Sequence, residues 1–130
     1  MTTIHYSEAV QTEHDTLHGI WADLTPEQQA KIPEPVLNIP DDLAGVVVTF
    51  PDEWVMSDID KFYQGSQAAP VGSSPGNIEL YGTIALCDAI SGIEIADLGK
   101  LPLHYGGFFN WLRQTVYIDS YLQAVEPPKN

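Results

Sequence analysis

The sequence is poor in cations, poor in sulfur and free of long apolar runs. Only five Lys and Arg stand against 18 Asp and Glu in 130 residues, a formal net charge of -13. Such a field repels phosphate backbones and anionic headgroups, so nucleic acid and membrane surfaces are poor partners. The same charge favours solubility without any binding role, or fits a basic protein partner or mimicry of a nucleic acid. Cys87 is the sole cysteine. No internal disulfide is available to it, and a reducing compartment is expected. It sits in LYGTIALCDAI with no His near in sequence, the setting of a buried inert thiol and not of a nucleophile. No stretch reaches the ~20 apolar residues that span a bilayer, and MTTIHYSEAVQTEHD lacks the basic and apolar regions of a secretory leader. The expectation is a soluble cytoplasmic protein.

What is present suits one globular domain over 1–130, since 44% of the residues are apolar and the length fits a single core. Residues 1–24 mix polar and apolar side chains without a clear period and read as an irregular or short-helical arm. LTPEQQAKIP carries the first firm signal: Thr25 as N-cap, Pro26 at the first helical position and Gln28 closing a capping box. Pro33 and Pro35 end that helix and impose an extended segment. Val46–Phe50, preceded by Gly45 and followed by Pro51, predicts a strand over 45–50. Ser57 suits an N-cap for a helix over 57–67, with Ile59, Phe62 and Tyr63 at helical spacing.

Residues 65–77, rich in Gly, Ser and Pro, read as a flexible connector. Asn77 then caps an apolar helix running towards Gly92, although Gly82 weakens it. Ile93 and Ile95 alternate about Glu94, so a strand near 93–96 is possible. A final helix begins near Gly107 and stops before Pro127. The fold class is therefore α+β and mainly helical, with about four helices and a small sheet or hairpin.

The final helix is the most aromatic part of the chain. At about 100° per residue, Phe108, Trp111, Leu112, Thr115, Ile118, Leu122 and Val125 form one stripe, sufficient to hold the helix to its own domain. Phe109, Val116, Tyr117 and Tyr121 fall outside it. Either another segment covers this second face, or it binds a second copy or a partner protein.

Other constellations are weaker. His14 and His18, four apart, would share a helix face with Glu13 nearby as a further ligand, the pattern of a metal-dependent hydrolase, yet a solvated pair is the favoured reading. Asp58 and Asp60, with Asp41 and Asp42 upstream, resemble Mg²⁺-binding pairs but equally suit a helix N-terminus. Asp119 lies at the edge of the apolar stripe, where burial would demand Thr115, Arg113 or a backbone donor. No P-loop, GxSxG or paired-cysteine motif accompanies them. No enzyme activity, cofactor, metal or small-molecule substrate is expected.

The order of these segments resembles the small tail assembly chaperones of long-tailed bacteriophages. The resemblance rests on a β-branched strand entering FPDEW, a helix with DIDKFYQ, a weakly ordered link, an apolar helix, LGKLPL, and the terminal NWLRQTVYIDSYLQAVEPPKN, together spanning residues 42–130. It implies binding to a tape-measure protein whose hydrophobic helices are kept soluble in the host cytoplasm while tail-tube subunits are delivered. Side-chain chemistry, not matched family positions, selects Trp54, Phe62, Phe109, Trp111, Tyr117 and Tyr121 as the contact residues. The alternative remains an acidic inhibitor of a basic protein surface.

Overall fold

Val46, Val48 and Phe50 alternate inward along a short β-branched run, and that run becomes the centre of the sheet. In the computed structural model, which describes residues 1–95 and 97–125, strand β2 (Val47–Phe50) lies between β1 (Thr2–His5) and β3 (Ala89–Ser91), with both pairings antiparallel. The register sets Ile4 opposite Val48 and Val48 opposite Ile90. Between these short strands run the helices α1 (Tyr6–Ala22), α2 (Pro26–Lys31), α3 (Met56–Gln67) and α4 (Pro75–Leu86). A C-terminal helical rod follows, made of α5 (Gly106–Leu112), a π-helical stretch (Arg113–Tyr121) and α6 (Leu122–Val125). The fold is mainly helical α+β with a small three-stranded antiparallel sheet, as the sequence implies.

The first 24 residues are not an irregular arm. Thr2–His5 pair with β2, and the chain turns directly into a 17-residue helix, its entry tied by the Tyr6 amide donating to the Val46 carbonyl. The strand is invisible locally because its partner lies more than forty residues away. The helix does leave a trace, since Tyr6, Val10, His14, Leu17 and Trp21 recur every three or four positions. By contrast, α2 forms as read: the Thr25 hydroxyl accepts from the Gln28 amide, and the Gln28 side chain accepts from the Thr25 amide.

Helix α3 starts one residue before Ser57, and Asp58 caps it by accepting from the Val55 amide at 2.8 Å. The connector is shorter than 65–77, because α3 continues to Gln67 and α4 already starts at Pro75. Ser74, not Asn77, is the cap of α4, and its hydroxyl accepts from the Asn77 amide. Pro75 explains the shift, because a missing N–H costs nothing in the first turn. Helix α4 ends at Leu86 and never reaches Gly92. The Asp88 amide is captured by the Thr49 carbonyl, which steers Ala89–Ser91 onto the sheet. The third strand is therefore here and not at 93–95, while Ala96 lies outside the described residues. Gly92, at φ +83°, turns the chain away with its Cα so close to the Gly45 carbonyl that a side chain would collide.

The core joins the sheet to the rod: Leu43, Val46, Val48, Leu86, Phe108, Leu112 and Val116 are essentially inaccessible. Gly82 weakens a helix in isolation, but in the fold it lets α3 and α4 approach. A Cβ on Gly82 would lie 2.5 Å from the Phe62 ring, and one on Gly65 would lie 2.5 Å from the Ala85 methyl and 2.8 Å from the Tyr81 carbonyl. On propensity alone, Gly65→Ala should stabilise α3 by about 1 kcal/mol. The close backbone reverses that sign, because overpacking against an immobile carbonyl costs about 1–3 kcal/mol. A lowered urea midpoint with unchanged slope is the expected result for Gly65→Ala; a raised midpoint would show that the two helices are not in close contact.

Candidate functional site

The π-helical stretch decides where the aromatic side chains go. Its hydrogen bonds skip five residues, as when the Leu122 amide donates to the Tyr117 carbonyl, so the chain turns through less angle per residue than an α-helix does. Residues five apart then share a face. The amide of Gln114 reaches the carboxylate of Asp119 at 2.8 Å, and Tyr121 falls below Val116 and Leu112 instead of on the opposite side.

The second aromatic face expected from α-helical projection is thereby largely turned inward. Phe109, Val116 and Tyr121 are buried, and Tyr117 is half-buried. Tyr117 packs edge-on to Phe62 with ring centroids 4.9 Å apart, and Tyr121 stacks on Phe62 at 5.3 Å. Trp54 completes the cluster, edge-on to Tyr121 at 5.6 Å and parallel to Phe50 at 6.0 Å, its indole N–H donating to the Ser120 hydroxyl at 2.9 Å. Burial, aided by the nearby Asp58 charge, pushes the Tyr121 phenol above its ordinary pKa.

Four of the six residues selected from the sequence, Trp54, Phe62, Tyr117 and Tyr121, therefore meet in one cluster. The other two lie elsewhere. Trp111 is half-buried against Tyr6 and Phe108, with centroids 5.0 and 5.9 Å away. Phe109 is buried beside Phe108.

The most exposed apolar side chains beside this cluster lie on and just ahead of α3, whereas the rod leaves Val125 at its end 43% exposed. On α3, Met56 is 80% exposed and Tyr63 62%, and Val55 just ahead of the helix is 57% exposed. With Ile59 they make a stripe, Met56, Ile59 and Tyr63 at i, i+3 and i+7, that no described element covers. The stripe opens into a groove of about 480 Å³ between the start of α3 and α6, with Trp54 and Tyr121 in its wall and Ala124 and Val125 on the far side. The sequence spacing groups Ile59 and Tyr63 with Phe62 on one face; in the structure Phe62 packs against the core while Ile59 and Tyr63 are exposed.

The charged constellations separate. Asp58 is 2% exposed, satisfied by the Val55 amide and by Lys61 at 3.5 Å. Asp42 pairs with His104 at 2.8 Å, far from Asp58 in the chain, and that hydrogen bond holds its carboxyl below the ordinary range. Asp119 is exposed and bonded to Gln114, while Arg113 turns to the Gly76 carbonyl and Glu79. His14 and His18 do share a face of α1, with rings 5.7 Å apart, but they hold the extended segment after α2: His14 Nε2 lies 3.2 Å from the Pro35 carbonyl and His18 Nε2 2.8 Å from Glu34. Among the described residues no three His, Cys, Asp or Glu side chains converge as metal ligands, and no helix is long and apolar enough to cross a membrane.

Cys87 is held inert. Burial, with the adjacent Asp88 charge, raises its pKa from 9.0 to about 12, and its Sγ–H faces the Thr83 carbonyl at 3.5 Å. A folded-state pKa above the unfolded value means that the thiol's contribution to stability is complete below pH 9 and disappears as the pH climbs towards 12. The stability difference between the wild type and Cys87→Ala should therefore shrink by about 1.4 kcal/mol per pH unit in that window, as read from denaturant melts. A pH-independent difference would mean that the thiol is accessible. Separately, Ser120→Ala should cost about 1 kcal/mol by orphaning the Trp54 indole N–H, and a neutral result in the same melts would show that bond to be unimportant.

No protein-family model, curated protein or solved structure matches this chain.

Proposed function

We propose that this is a non-enzymatic interaction protein that takes a hydrophobic helical segment of another protein into the groove between α3 and α6. The observation that carries this reading is the uncovered stripe of Val55, Met56, Ile59 and Tyr63, continuous with a groove walled by Trp54 and Tyr121. Leaving four large side chains in water forgoes about 1.5–3 kcal/mol for each one that could be buried, and a bound helix recovers that energy. A stripe from Met56 to Tyr63 is about 10 Å long, two turns of such a helix. Trp54 and Tyr121 have apolar bodies already fixed by their neighbours, so little side-chain entropy is lost when a partner seats on them.

The finer reading is a tail assembly chaperone of a long-tailed bacteriophage, working in the host cytoplasm, with the hydrophobic helices of a tape-measure protein as the occupant. Its support is the segment order between residues 42 and 130 together with the kind of surface just described. The acidic-inhibitor reading is less favoured. Acids occur on α1, α2, α3 and α4 and in the connections between them, not on one element that could line a basic channel.

A photo-crosslinking amino acid placed at Tyr63 in the native source should yield one dominant protein adduct. The same probe at Ala30 on α2 should not, and Ile59→Asp should abolish the Tyr63 adduct without unfolding the chain. Identification of the adduct by mass spectrometry then separates the finer readings: a protein with long apolar helices supports the chaperone, a nucleic-acid-binding protein the inhibitor. Equal labelling from both positions would remove the groove from consideration.

A further inference from the structure

A second concave site lies on the opposite arm of the fold and differs in chemistry. The inner face of α1 and the extended segment 35–38 form two walls of a cleft of about 370 Å³, closed at one end by Gly107 and Trp111 at the start of the C-terminal rod. Tyr6 and Trp111 form an aromatic corner there, with ring centroids 5.0 Å apart and planes inclined by 65°. Val10, Leu17 and Val36 supply apolar surface. The remaining charge is Glu13, on the same wall.

Among the described residues no ion pair is made to Glu13. Among the described residues the ion pairs of Lys61, Lys100 and Arg113 are made elsewhere, to Asp58, Asp97 and Glu79. His14, the one other titratable side chain of the cleft besides Tyr6, has Nδ1 3.3 Å from the Asp15 carboxylate and Nε2 3.2 Å from the Pro35 carbonyl; both partners are acceptors, so a neutral ring donates to one of them. The Glu13 charge is close enough to the Tyr6 phenol to reinforce the upward pKa shift that burial imposes on it. The cleft thus brings together an exposed carboxylate, the half-buried Trp111 ring with the buried Tyr6 ring beside it, and hydrocarbon walls.

We propose that this cleft binds an alkylammonium group, with its hydrocarbon stem along Val10, Leu17 and Val36 and its charge between Glu13 and the Tyr6–Trp111 corner. Each part of the site answers one part of that ligand. Aromatic faces attract a partly desolvated cation, a carboxylate gives it a charge-assisted hydrogen bond, and the walls cover the methylenes. An anion is repelled by Glu13 and by the net charge of -13, and a neutral chain of the same length leaves the carboxylate unpaired. A lysine side chain on a partner segment and a free primary amine share this chemistry.

The experiment is an NMR titration of the full chain, following the Trp111 indole N–H. Butylammonium is compared with butanol, and a Gly-Lys-Gly peptide with its Nε-acetylated form. Butylammonium and the lysine peptide should saturate with Kd on the order of 1 mM, whereas butanol and the acetylated peptide should bind about tenfold more weakly. A tighter fit for the peptide points to a protein-borne lysine, and equal affinity to a free amine. Glu13→Gln should weaken the cations about fivefold. Glu8→Gln, which removes the same charge from a part of α1 that borders a different surface hollow, should change affinity less than about twofold. Both glutamates are exposed, so neither change threatens the fold. The proposal fails if butanol matches butylammonium, if the two glutamine variants behave alike, or if the Trp111 signal does not move.

Discussion

The burial of Leu112, Val116 and Tyr121 together in the core, with Tyr121 stacked on Phe62 of α3, is the constraint on which the rest of the structure depends. These positions are spaced by four and then five residues, and no straight α-helix can place all three inward. The chain widens its turns over Arg113–Tyr121 and keeps its backbone hydrogen bonds through i+5 pairing. Once that packing is set, Phe62 lies between Tyr117 and Tyr121, Trp54 closes over Tyr121, and Ser120 is positioned to receive the Trp54 indole N–H.

That arrangement moves the functional question from one helix to another. The aromatic residues of the rod are largely spent on internal order, and the outer face of α3 keeps a run of apolar side chains in water. The groove has packed rings, Trp54 and Tyr121, in its wall and exposed aliphatic side chains at its edge. Gly65 and Gly82 let the two helices lie close, so α3 is braced from behind while its other face stays open.

Charge plays a different part. Each of Lys61, Lys100 and Arg113 is tied to a neighbouring acid, and the histidines serve as fasteners, His104 to Asp42 and His14 and His18 to the segment after α2. The α1 arm is held to that segment by side-chain bonds of this kind, including the Trp21 indole donating to the Ile32 carbonyl, more than by apolar burial. Tyr6 is the one buried residue of α1, and a cleft stays open along its inner face.

Local chemistry made much of this legible from the sequence. Thr25, Pro26 and Gln28 contain the whole start of α2 within four residues, Val47–Phe50 can scarcely be anything but a strand, and Gly and Pro mark the turns because their backbone preferences act without distant partners. The choice of four of the clustered aromatics also followed from residue type, since large rings in a small domain must gather somewhere. Tertiary structure alone decided that Thr2–His5 and Ala89–Ser91 become strands, because each needs β2 as its partner, and that the chain winds as a π-helix over Arg113–Tyr121, because burying Val116 and Tyr121 in one core favours spacing by five over spacing by four. The same decision determined which apolar side chains are hidden and which are offered: helical projection at a fixed angle cannot anticipate a helix that changes its own pitch to fill a core.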